Sequence, residues 1–504
     1  MFVRKLKSKN GKIYIQVVDK SSGKYRVLKS FGSADTPQQL ELLVNKANSW
    51  MHQYTGSQEI DFTNSDLFTE QVLESIDSMK RVGYDYLLGG IFDSIGFNKV
   101  KDDIFKQLVI SRIAYPKSKL KTTEYLYRYK QIDWSEDQLY RYLDKLYTKQ
   151  KEQVQRISYE HTLKVLGNKI SVVFYDVTTI YFEIDNEDEI RKTGFSKDGK
   201  HQRPQIVLGL LVSKNGYPLA YEIFEGNKFE GHTMLPVIDT FKQKYRLDQL
   251  VIVADSGLLS KSNIEEMQNK GYEFILGARI KNESIQIKKE ILDLNLNNGQ
   301  SKIIRKGDLK LIVTYSETRA KKDSYNREKG LRRLEKQLRT GRLTKANINN
   351  RGYNKFLKME GAIKVTIDYG KLYLDKKWDG LKGYMTNSKL SKNEIIENYK
   401  HLWQIEKAFR VSKSDLKIRP IFHRLPRRIE AHICISFVAY KIFIELERQL
   451  KEMKTDISPL KAIEIAENIF EIQAILPNSK RKITKTLLLT DEQRELAELF
   501  HFGC

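Results

Sequence analysis

At 504 residues, the chain is long enough for three or four domains that each bury a core, so a single compact unit is not expected. Lysine and arginine number 88 against 64 aspartate and glutamate, which gives a formal net charge of +24. This excess favours a polyanionic partner, with nucleic acid first, and solvated surface lysines are the alternative explanation.

The cysteines and the apolar segments exclude further classes. Cys434 and Cys504 are too few for a disulfide framework or a cysteine-based zinc site, which fits a reducing compartment. The basic N-terminus lacks the apolar core of a secretory signal, and no apolar stretch is long enough to span a bilayer. We therefore expect a soluble, cytoplasmic protein without membrane association.

Two modules are predicted before the first long apolar strand. Residues 1–56 alternate apolar and polar side chains around Ser-Ser-Gly-Lys, which predicts a β-rich basic module with a hairpin. Residues 57–168 have helical spacing and a capping box at Ser135 and Gln138, which predicts a helical DNA-binding domain. Two of its helices flank the turn QIDWS. They are either a helix-turn-helix or an ordinary amphipathic pair.

Residues 169–279 have the most regular pattern. KISVVFYDVTTIYF, PQIVLGLLVS and YPLAYEIFEG read as three strands, with a hairpin signal at Asn215-Gly216. A helix, the strand LVIVADSG, a second helix and the strand YEFILGAR follow. This order is expected of a ribonuclease H-like mixed sheet, so the predicted fold class is α/β and this segment is the first part of a catalytic core.

Residues 280–386 interrupt that core. Their pattern predicts a basic insertion domain, and residues 319–358 hold fourteen Lys or Arg against three Asp or Glu. A helix predicted there has an apolar edge at Leu331, Leu334 and Leu338. Its basic side chains are either contacts to DNA backbone or a solvated charged face. The candidates for DNA contact are Arg332, Arg333, Lys336 and Arg339. Residues 387–445 are predicted to complete the core, and residues 446–504 to form a C-terminal helical region.

Two aspartates are expected to carry the chemistry. Asp176 ends the apolar run VVFY and Asp255 follows the run VIVA, so both are predicted at the ends of buried strands. Ligands gather at the carboxyl ends of strands in α/β sheets, which favours a role in metal binding. The alternative for each is an aspartate that caps the next turn or helix.

A third carboxylate is predicted on a helix from Ser391 to about Lys413, which opens with a capping box at Ser391 and Glu394. Tyr399, Glu406 and Lys413 are spaced by seven residues and share one face of that helix. Glu406 is therefore expected within the apolar stripe, where a carboxylate is either paired or faces a site. A local pair with Arg410 is the alternative.

Three carboxylates suit hard cations with oxygen ligands. The expected cofactor is a pair of Mg²⁺ ions, roughly 3.5 to 4 Å apart, bound by Asp176, Asp255 and Glu406, with Mn²⁺ as a substitute. Such a pair promotes in-line displacement at a phosphate.

Four segments carry a resemblance to a known family: YDVTTIYFE, GFSKDGKHQRPQIVLGLLVSKNGYPLAYEIFEGN, VIVADSGLLS and ENYKHLWQIEKAFRVSKSDLKIRPIFHR. Over residues 115–440 the chain resembles the DDE transposases of bacterial insertion sequences, in the group with a Tyr-Arg-Glu-Lys signature. The resemblance implies that Asp176, Asp255 and Glu406 are the metal-binding triad. It also implies that the insertion is β-rich and contacts transposon ends.

The signature residues are implied to contact DNA phosphates. Tyr399 and Lys413 match its Tyr and Lys, and Leu402 stands where the signature has Arg. Arg410 and His401 are the candidates to replace that contact. Two tryptophans, Trp378 and Trp403, are either stacking residues or core residues.

The implied function is cut-and-paste transposition. A homodimer assembled on double-stranded DNA would pair two terminal inverted repeats, cleave them and join them to target DNA, and a hairpin intermediate is implied by the family alone. The expected location is the bacterial cytoplasm, with nucleoid association when bound to DNA. A catalytically silent, transposase-derived regulator is the main alternative, and the basic insertion argues against a phosphohydrolase of small substrates.

Overall fold

The structure is a computed structural model that describes residues 1–8, 10–55, 70–247, 250–258, 260–349, 352–360, 364–476 and 479–503. The chain divides into two compact units, Met1–Met79 with Ile472–Lys485 and Lys80–Glu471 with Thr486–Cys504. The expected domain boundary between Gly56 and Ser57 lies outside the described residues, as does Cys504.

The first unit contains an antiparallel sheet in the order β1-β2-β3, covered by one helix. Its elements are β1 (Phe2–Lys7), β2 (Ile13–Asp19), β3 (Arg26–Ala34) and α1 (Pro37–Thr55). Alternate β2 side chains, Ile15 and Val17, are fully buried and pack with Ala47 of α1. The turn between β2 and β3 lies at Ser-Ser-Gly-Lys, where the sequence predicts a hairpin.

The second unit begins with five helices. These are α2 (Gly83–Ile95), α3 (Asp103–Ala114), α4 (Lys119–Lys130), α5 (Glu136–Lys145) and α6 (Lys151–Val165). The capping box at Ser135 and Gln138 is confirmed, since each side chain bonds the backbone of the other residue. The turn at residues 131–135 separates α4 from α5.

An eight-stranded mixed sheet forms the centre of the second unit, in the order β10-β11-β14-β9-β8-β5-β6-β7. The pairs β5 with β8 and β8 with β9 are parallel, and the other neighbours are antiparallel. The strands are β5 (Val172–Tyr181), β6 (Gln205–Ser213), β7 (Pro218–Glu225), β8 (Val251–Ala254), β9 (Glu273–Ala278), β10 (Ser301–Lys306), β11 (Leu309–Tyr315) and β14 (Leu381–Thr386).

Helices cover both faces of this sheet, which explains why β6 is buried along its whole length and has no charged residue. On one face, Phe174 and Leu210 pack against the later helices α12 (Lys392–Lys400), α13 (Trp403–Ser414) and α14 (Pro426–Glu452). On the other face, Val173 and Val207 pack against α7 (Met234–Tyr245) and α8 (Lys261–Asn269).

The region expected to be a β-rich insertion differs from that expectation. Three of its strands, β10, β11 and β14, extend the large sheet instead of forming a separate one. Its longest element is the 23-residue helix α10 (Glu317–Arg339), whose Leu334 is buried. Its other elements are α9 (Ile285–Asp293), the hairpin of β12 (Leu357–Glu360) and β13 (Lys364–Ile367), and α11 (Tyr369–Lys376).

The C-terminal region is not wholly helical, contrary to expectation. After α15 (Pro459–Glu467), the strands β15 (Phe470–Ile475) and β16 (Lys482–Leu487) form a sheet in the order β16-β15-β4 with β4 (Ile76–Arg81), and α16 (Asp491–Phe500) follows. The strands depend on pairing with β4, about 390 residues away along the chain, which local spacing does not reveal. No helix in the described residues is long and apolar enough to cross a membrane.

Candidate active site

Two aspartates lie side by side at one edge of the large sheet. The parallel register of β5 and β8 ends with the pair Tyr175 and Ala254, and the next residues are Asp176 and Asp255. Adjacent strands are about 4.8 Å apart, so the two carboxylates belong to neighbouring positions of one ladder. Each Oδ1 accepts a 2.7 Å backbone hydrogen bond, from Val177 and Gly257 respectively.

One detail of the sequence interpretation was wrong: Asp176 does not end its strand. It lies at the fifth position of β5, opposite Leu210 of β6, and β5 continues to Tyr181. The residues that follow it are mostly β-branched and extend the ladder with β6. Only the ladder with β8 stops at this level, so Asp176 still faces the end of the neighbouring strand.

A lysine ammonium already sits against Asp176. The Nζ of Lys197 lies 3.6 Å from Asp176 Oδ1 and 3.2 Å from Glu230 Oε1, and it donates to the Val177 carbonyl at 2.7 Å. Burial raises the pKa of Asp176 to about 6, and Lys197 opposes that rise. The space beside the Asp176 carboxylate therefore attracts a cation, as expected for a residue that binds a metal ion. Neither Lys197 nor Glu230 was predicted as a site residue, because both lie in segments outside regular strands.

Tyr399 lies at the end of the neighbouring strands. It is 7% exposed, and its hydroxyl occupies the space beside Gly277, so close that a Cβ on Gly277 would lie 2.4 Å from it. The same Cβ would lie 3.0 Å from the backbone nitrogen of Ser256. Burial raises the pKa of Tyr399, and the charges of Asp255 and Glu406 raise it further. Tyr399 thus lies between the aspartate edge and the third expected acid.

Glu406 is not placed as predicted. The expected continuous helix is broken at His401 and Leu402, where the bonds from Gln404 and Ile405 reach back only three residues. Neither Gly nor Pro marks this break in the sequence. As a result Ile405 is buried and Glu406 is exposed, so the carboxylate does not lie in the apolar stripe. The expected capping box at Ser391 and Glu394 is confirmed.

The described residues contain no group of three or more His, Cys, Asp or Glu side chains arranged to hold a metal ion. The structure therefore brings Asp176 and Asp255 together and does not bring Glu406 into a three-ligand cluster with them. The alternative of a local pair between Glu406 and Arg410 is not observed among the described ion pairs either.

The remaining signature positions have varied surroundings. Lys413 donates to Asp198 Oδ2 at 3.1 Å, and Arg419 shares the same oxygen at 2.6 Å. His401 Nε2 lies 3.4 Å from Glu397, and Arg410 is exposed. Leu402 is 8% exposed and packs in the core.

The four basic candidates on α10 are all exposed and form no ion pair within the described residues. They are Arg332, Arg333, Lys336 and Arg339. The predicted apolar edge is confirmed, because Leu334 packs in a small core with Leu331 and Leu338 partly buried against it. Trp378 is partly buried against another small core, whereas Trp403 is 50% exposed and is not a core residue.

A row of cations that was not predicted from the sequence lies at the same end of the sheet. Arg279 directly follows β9, and the register that pairs Ala278 with Gly383 places Lys382 of β14 opposite it. Arg319 lies in the first turn of α10, directly after β11. Across the sheet, the acids of β5 and β8 are thus followed by cations from β9, β14 and β11. Arg279 was predictable from its position after β9, because ligands gather at the carboxyl ends of strands and a basic residue can contact an anionic ligand there.

These cations line a cleft of about 710 Å³ together with Ser256 and Tyr399. Three other cations of the cleft are neutralised: Lys281 and Lys355 contact Asp375, and Arg327 contacts Asp379. By contrast, neither Arg279 nor Lys382 forms an ion pair in the described part of the chain, and Arg319 lies 3.6 Å from Asp323. The Lys382 ammonium instead lies 4.5 Å from the Tyr399 ring centre.

No curated protein matches the chain. Among solved structures, the piggyBac transposase synaptic complex with hairpin DNA is similar at 10% sequence identity and a TM-score of 0.38, over 77% of this chain and 78% of that chain. The family described as "Transposase DDE domain" matches residues 167–442. Because this match spans more than half of the sequence, the chain belongs to the family of DDE transposases.

Proposed function

We propose that this transposase cleaves DNA at the terminal inverted repeats of a bacterial insertion sequence and joins those ends to target DNA by a cut-and-paste route. The observation that carries the proposal is the pair of aspartates, Asp176 and Asp255, at the same level of two adjacent parallel strands. The strand order β7-β6-β5-β8-β9, with β5 antiparallel to β6 and parallel to β8, supports a ribonuclease H-like layout for this core.

Asp176, Asp255 and Glu406 are the proposed ligands of two Mg²⁺ ions, with Mn²⁺ as a substitute. Bound ions would activate the attacking hydroxyl and stabilise the leaving oxygen. The two neighbouring aspartates support this assignment. The Lys197 ammonium supports it too, because it shows that a positive charge can lie beside Asp176. Glu406 is exposed on a helix whose break lies beside Tyr399, so its side chain is free to reach a ligand at the sheet edge. Closure of the triad is proposed to accompany DNA binding.

Residues around the aspartates and in the cleft have separate roles in metal binding, helix positioning and DNA contact. Lys197 neutralises Asp176 until a metal replaces its charge, and its bond to the Val177 carbonyl keeps it nearby. Tyr399 holds the end of α12 against β9, directly before the break that leads into the helix of Glu406. The exposed cations of α10 and the cleft hold the DNA backbone, and Lys413 and Arg410 are proposed as further phosphate contacts.

Cleavage of the terminal repeats tests this function directly. Duplexes that carry the element's own inverted repeats and flanking DNA are incubated with the purified protein and Mg²⁺, and the 3′ strand is followed on a denaturing gel. We expect cleavage at the repeat boundary that requires the divalent ion. Specific binding without cleavage would instead support the second candidate, a transposase-derived regulator. The absence of a three-ligand cluster with Glu406 in the described residues favours that candidate.

Metal affinity is expected to depend on pH through Asp176. Because burial raises the pKa of Asp176 to about 6, the carboxyl is increasingly protonated as the pH falls below 6, and a protonated carboxyl does not bind a metal. Mn²⁺ affinity, measured by calorimetry on the DNA-free protein, should be constant above pH 7 and fall up to about tenfold per pH unit below 6. Asp176→Asn should bind weakly at every pH, and an affinity equal at pH 5 and pH 7.5 would contradict the assignment.

A neutral side chain at position 382 is expected to weaken DNA binding. Lys382 is half-buried, has no carboxylate partner in the described residues and faces the cleft beside Tyr399, so it is free to contact a phosphate. Lys382→Met should reduce the slope of log affinity against log salt concentration by about one unit. Fluorescence anisotropy with labelled duplex DNA measures that slope.

The cleft offers a matched control for this experiment. Lys355 lines the same cleft but is paired with Asp375 at 2.9 Å, so Lys355→Met should leave the salt slope nearly unchanged. Lys382→Arg keeps the charge and should retain the wild-type slope. If Lys382→Met and Lys355→Met behaved alike, the distinction between free and neutralised cations would be wrong.

A further inference from the structure

A small cavity of about 120 Å³ lies among the helices of the second unit. It is lined by the end of α3, the start of α4, one face of α5 and the segment that leads into α14. None of its lining residues belongs to the sheet-edge site or the cleft described above. Leu120 and Phe422, which are 51% and 68% exposed, lie at its rim, so the cavity is close to solvent.

Five basic residues line this cavity, and four of them, all except the exposed Lys117, are more than nine-tenths buried. Their exposed fractions are 6% for Arg112, 5% for Lys119, 7% for His423 and 4% for His432. The two histidine rings lie 5.5 Å apart. Buried lysine and arginine are rare in proteins unless a partner compensates their charge.

The cluster has no such partner in the described residues. The Lys119 ammonium makes no hydrogen bond or ion pair there, and the Arg112 Nε has no hydrogen-bond partner either. Arg112 Nη1 reaches only the carbonyl of Lys417, at 3.3 Å. Glu136 lines the cavity, but its carboxylate accepts the Tyr140 hydroxyl and contacts neither cation.

The charges of this cluster oppose one another. Burial lowers the pKa of Lys119, and the charge of Arg112 lowers it further. The same two cations lower the pKa of His432 beyond the effect of burial. An anion that contacts Arg112 and Lys119 together would remove this penalty.

We propose that this cavity is a binding site for a small tetrahedral oxyanion of the phosphate class. The helix α4 begins here at Lys119 after its N-cap Ser118, and the positive end of a helix adds to the field of the side chains. The cavity holds roughly four water molecules, which is enough for an oxyanion and far below the roughly 300 Å³ of a nucleotide-sized pocket. The ligand is either free phosphate or a backbone phosphate of bound DNA.

Inorganic phosphate is the first probe, used with the full-length wild-type protein. Equilibrium dialysis with radiolabelled phosphate should show saturable binding of one ion per chain. Thermal unfolding should occur at a temperature several degrees higher in phosphate than in chloride of equal ionic strength, because a ligand that binds only the folded protein stabilises it. Equal melting temperatures in the two salts, with no saturable binding, would overturn the proposal.

A pair of lysine variants on one helix assigns the binding to this cavity. Lys119→Met removes a buried cation, so it should melt no lower than wild type in chloride and lose the phosphate-dependent increase. Lys121→Met is the control, since Lys121 is exposed and paired with Glu124 at 2.8 Å, and it should retain the full increase. If Lys119→Met does not fold, His423→Gln serves as the second variant. A full phosphate response in both cavity variants would contradict the assignment.

A DNA-binding experiment distinguishes the two sources of the anion. If a backbone phosphate occupies the cavity, free phosphate should compete with duplex DNA more strongly in wild type than in Lys119→Met, and Lys119→Met should bind DNA several-fold more weakly. If free phosphate is the ligand, both proteins should bind DNA equally while the dialysis result persists. Neither outcome depends on DNA cleavage, so the site and the proposed transposase activity are tested separately.

Discussion

Asparagine in place of Asp176 or Asp255 is expected to slow strand cleavage at the terminal repeats by at least about 10³-fold. The exchange keeps the size of each side chain and an Oδ1 that accepts the backbone bond from Val177 or Gly257, so the fold should be retained. It removes the negative charge that a metal ligand needs. Single-turnover cleavage of labelled repeat duplexes measures the rate, and gel mobility should show unchanged binding of the ends.

The control for this pair is another aspartate close by in the sequence. Asp185 lies in an acidic segment that follows β5, and its side chain is 91% exposed. Asp185→Asn should cleave at the wild-type rate. Cleavage by Asp176→Asn or Asp255→Asn within a few-fold of wild type would show that the aspartate pair is not the catalytic centre.

Alanine in place of Glu445 is expected to destabilise the second unit by about 3 to 5 kcal/mol. Glu445 is 1% exposed and accepts bonds from Tyr217 at 2.5 Å, from Arg448 at 2.6 and 3.0 Å and from Gln449 at 2.8 Å. Its removal takes away the acceptor of the Tyr217 hydroxyl and of Arg448 Nε and Nη2, between α14 and the β6–β7 hairpin, while Arg448 Nη1 keeps its contact with Glu452. The shift of the urea unfolding midpoint measures the loss.

The same arginine provides a control for this change. Glu452 also pairs with Arg448, but its side chain is 64% exposed, so Glu452→Ala should cost less than about 1 kcal/mol. Burial works to raise the pKa of Glu445, and the bonds from Arg448 and Tyr217 outweigh it, so the pKa is lowered from 4.5. The stabilising charge is therefore present above pH 4.5 and lost as the pH falls further. Equal losses of stability in Glu445→Ala and Glu452→Ala would show that burial of Glu445 does not determine its contribution.

Local patterns were enough to predict the strands that carry the aspartates. The apolar run before Asp255, the hairpin signal at Asn215-Gly216 and the capping box at Ser391 all correspond to observed elements. These features depend on residues a few positions apart in the chain, which is the range that spacing rules cover. The resemblance to DDE transposases drawn from the four segments is confirmed by the family match.

Features that depend on distant pairing escaped prediction. The strands β10, β11 and β14 carry a basic, irregular pattern, and only their partners in the large sheet decide where they lie. The contact of Lys197 with Asp176 and Glu230 joins a loop to two other elements. The break at His401 has no Gly or Pro signal, so Glu406 was expected in the apolar stripe and is exposed.

The position of Glu406 in the DNA-bound protein decides whether the three carboxylates form one metal site. The most direct measurement is a crystal structure of the chain with a terminal-repeat duplex and Mn²⁺, in which anomalous scattering locates the metal. We predict two Mn²⁺ peaks roughly 3.5 to 4 Å apart, bound by Asp176, Asp255 and Glu406. Peaks at the two aspartates that are completed by Glu230, with Glu406 remote in solvent, would show that Glu406 is not a metal ligand.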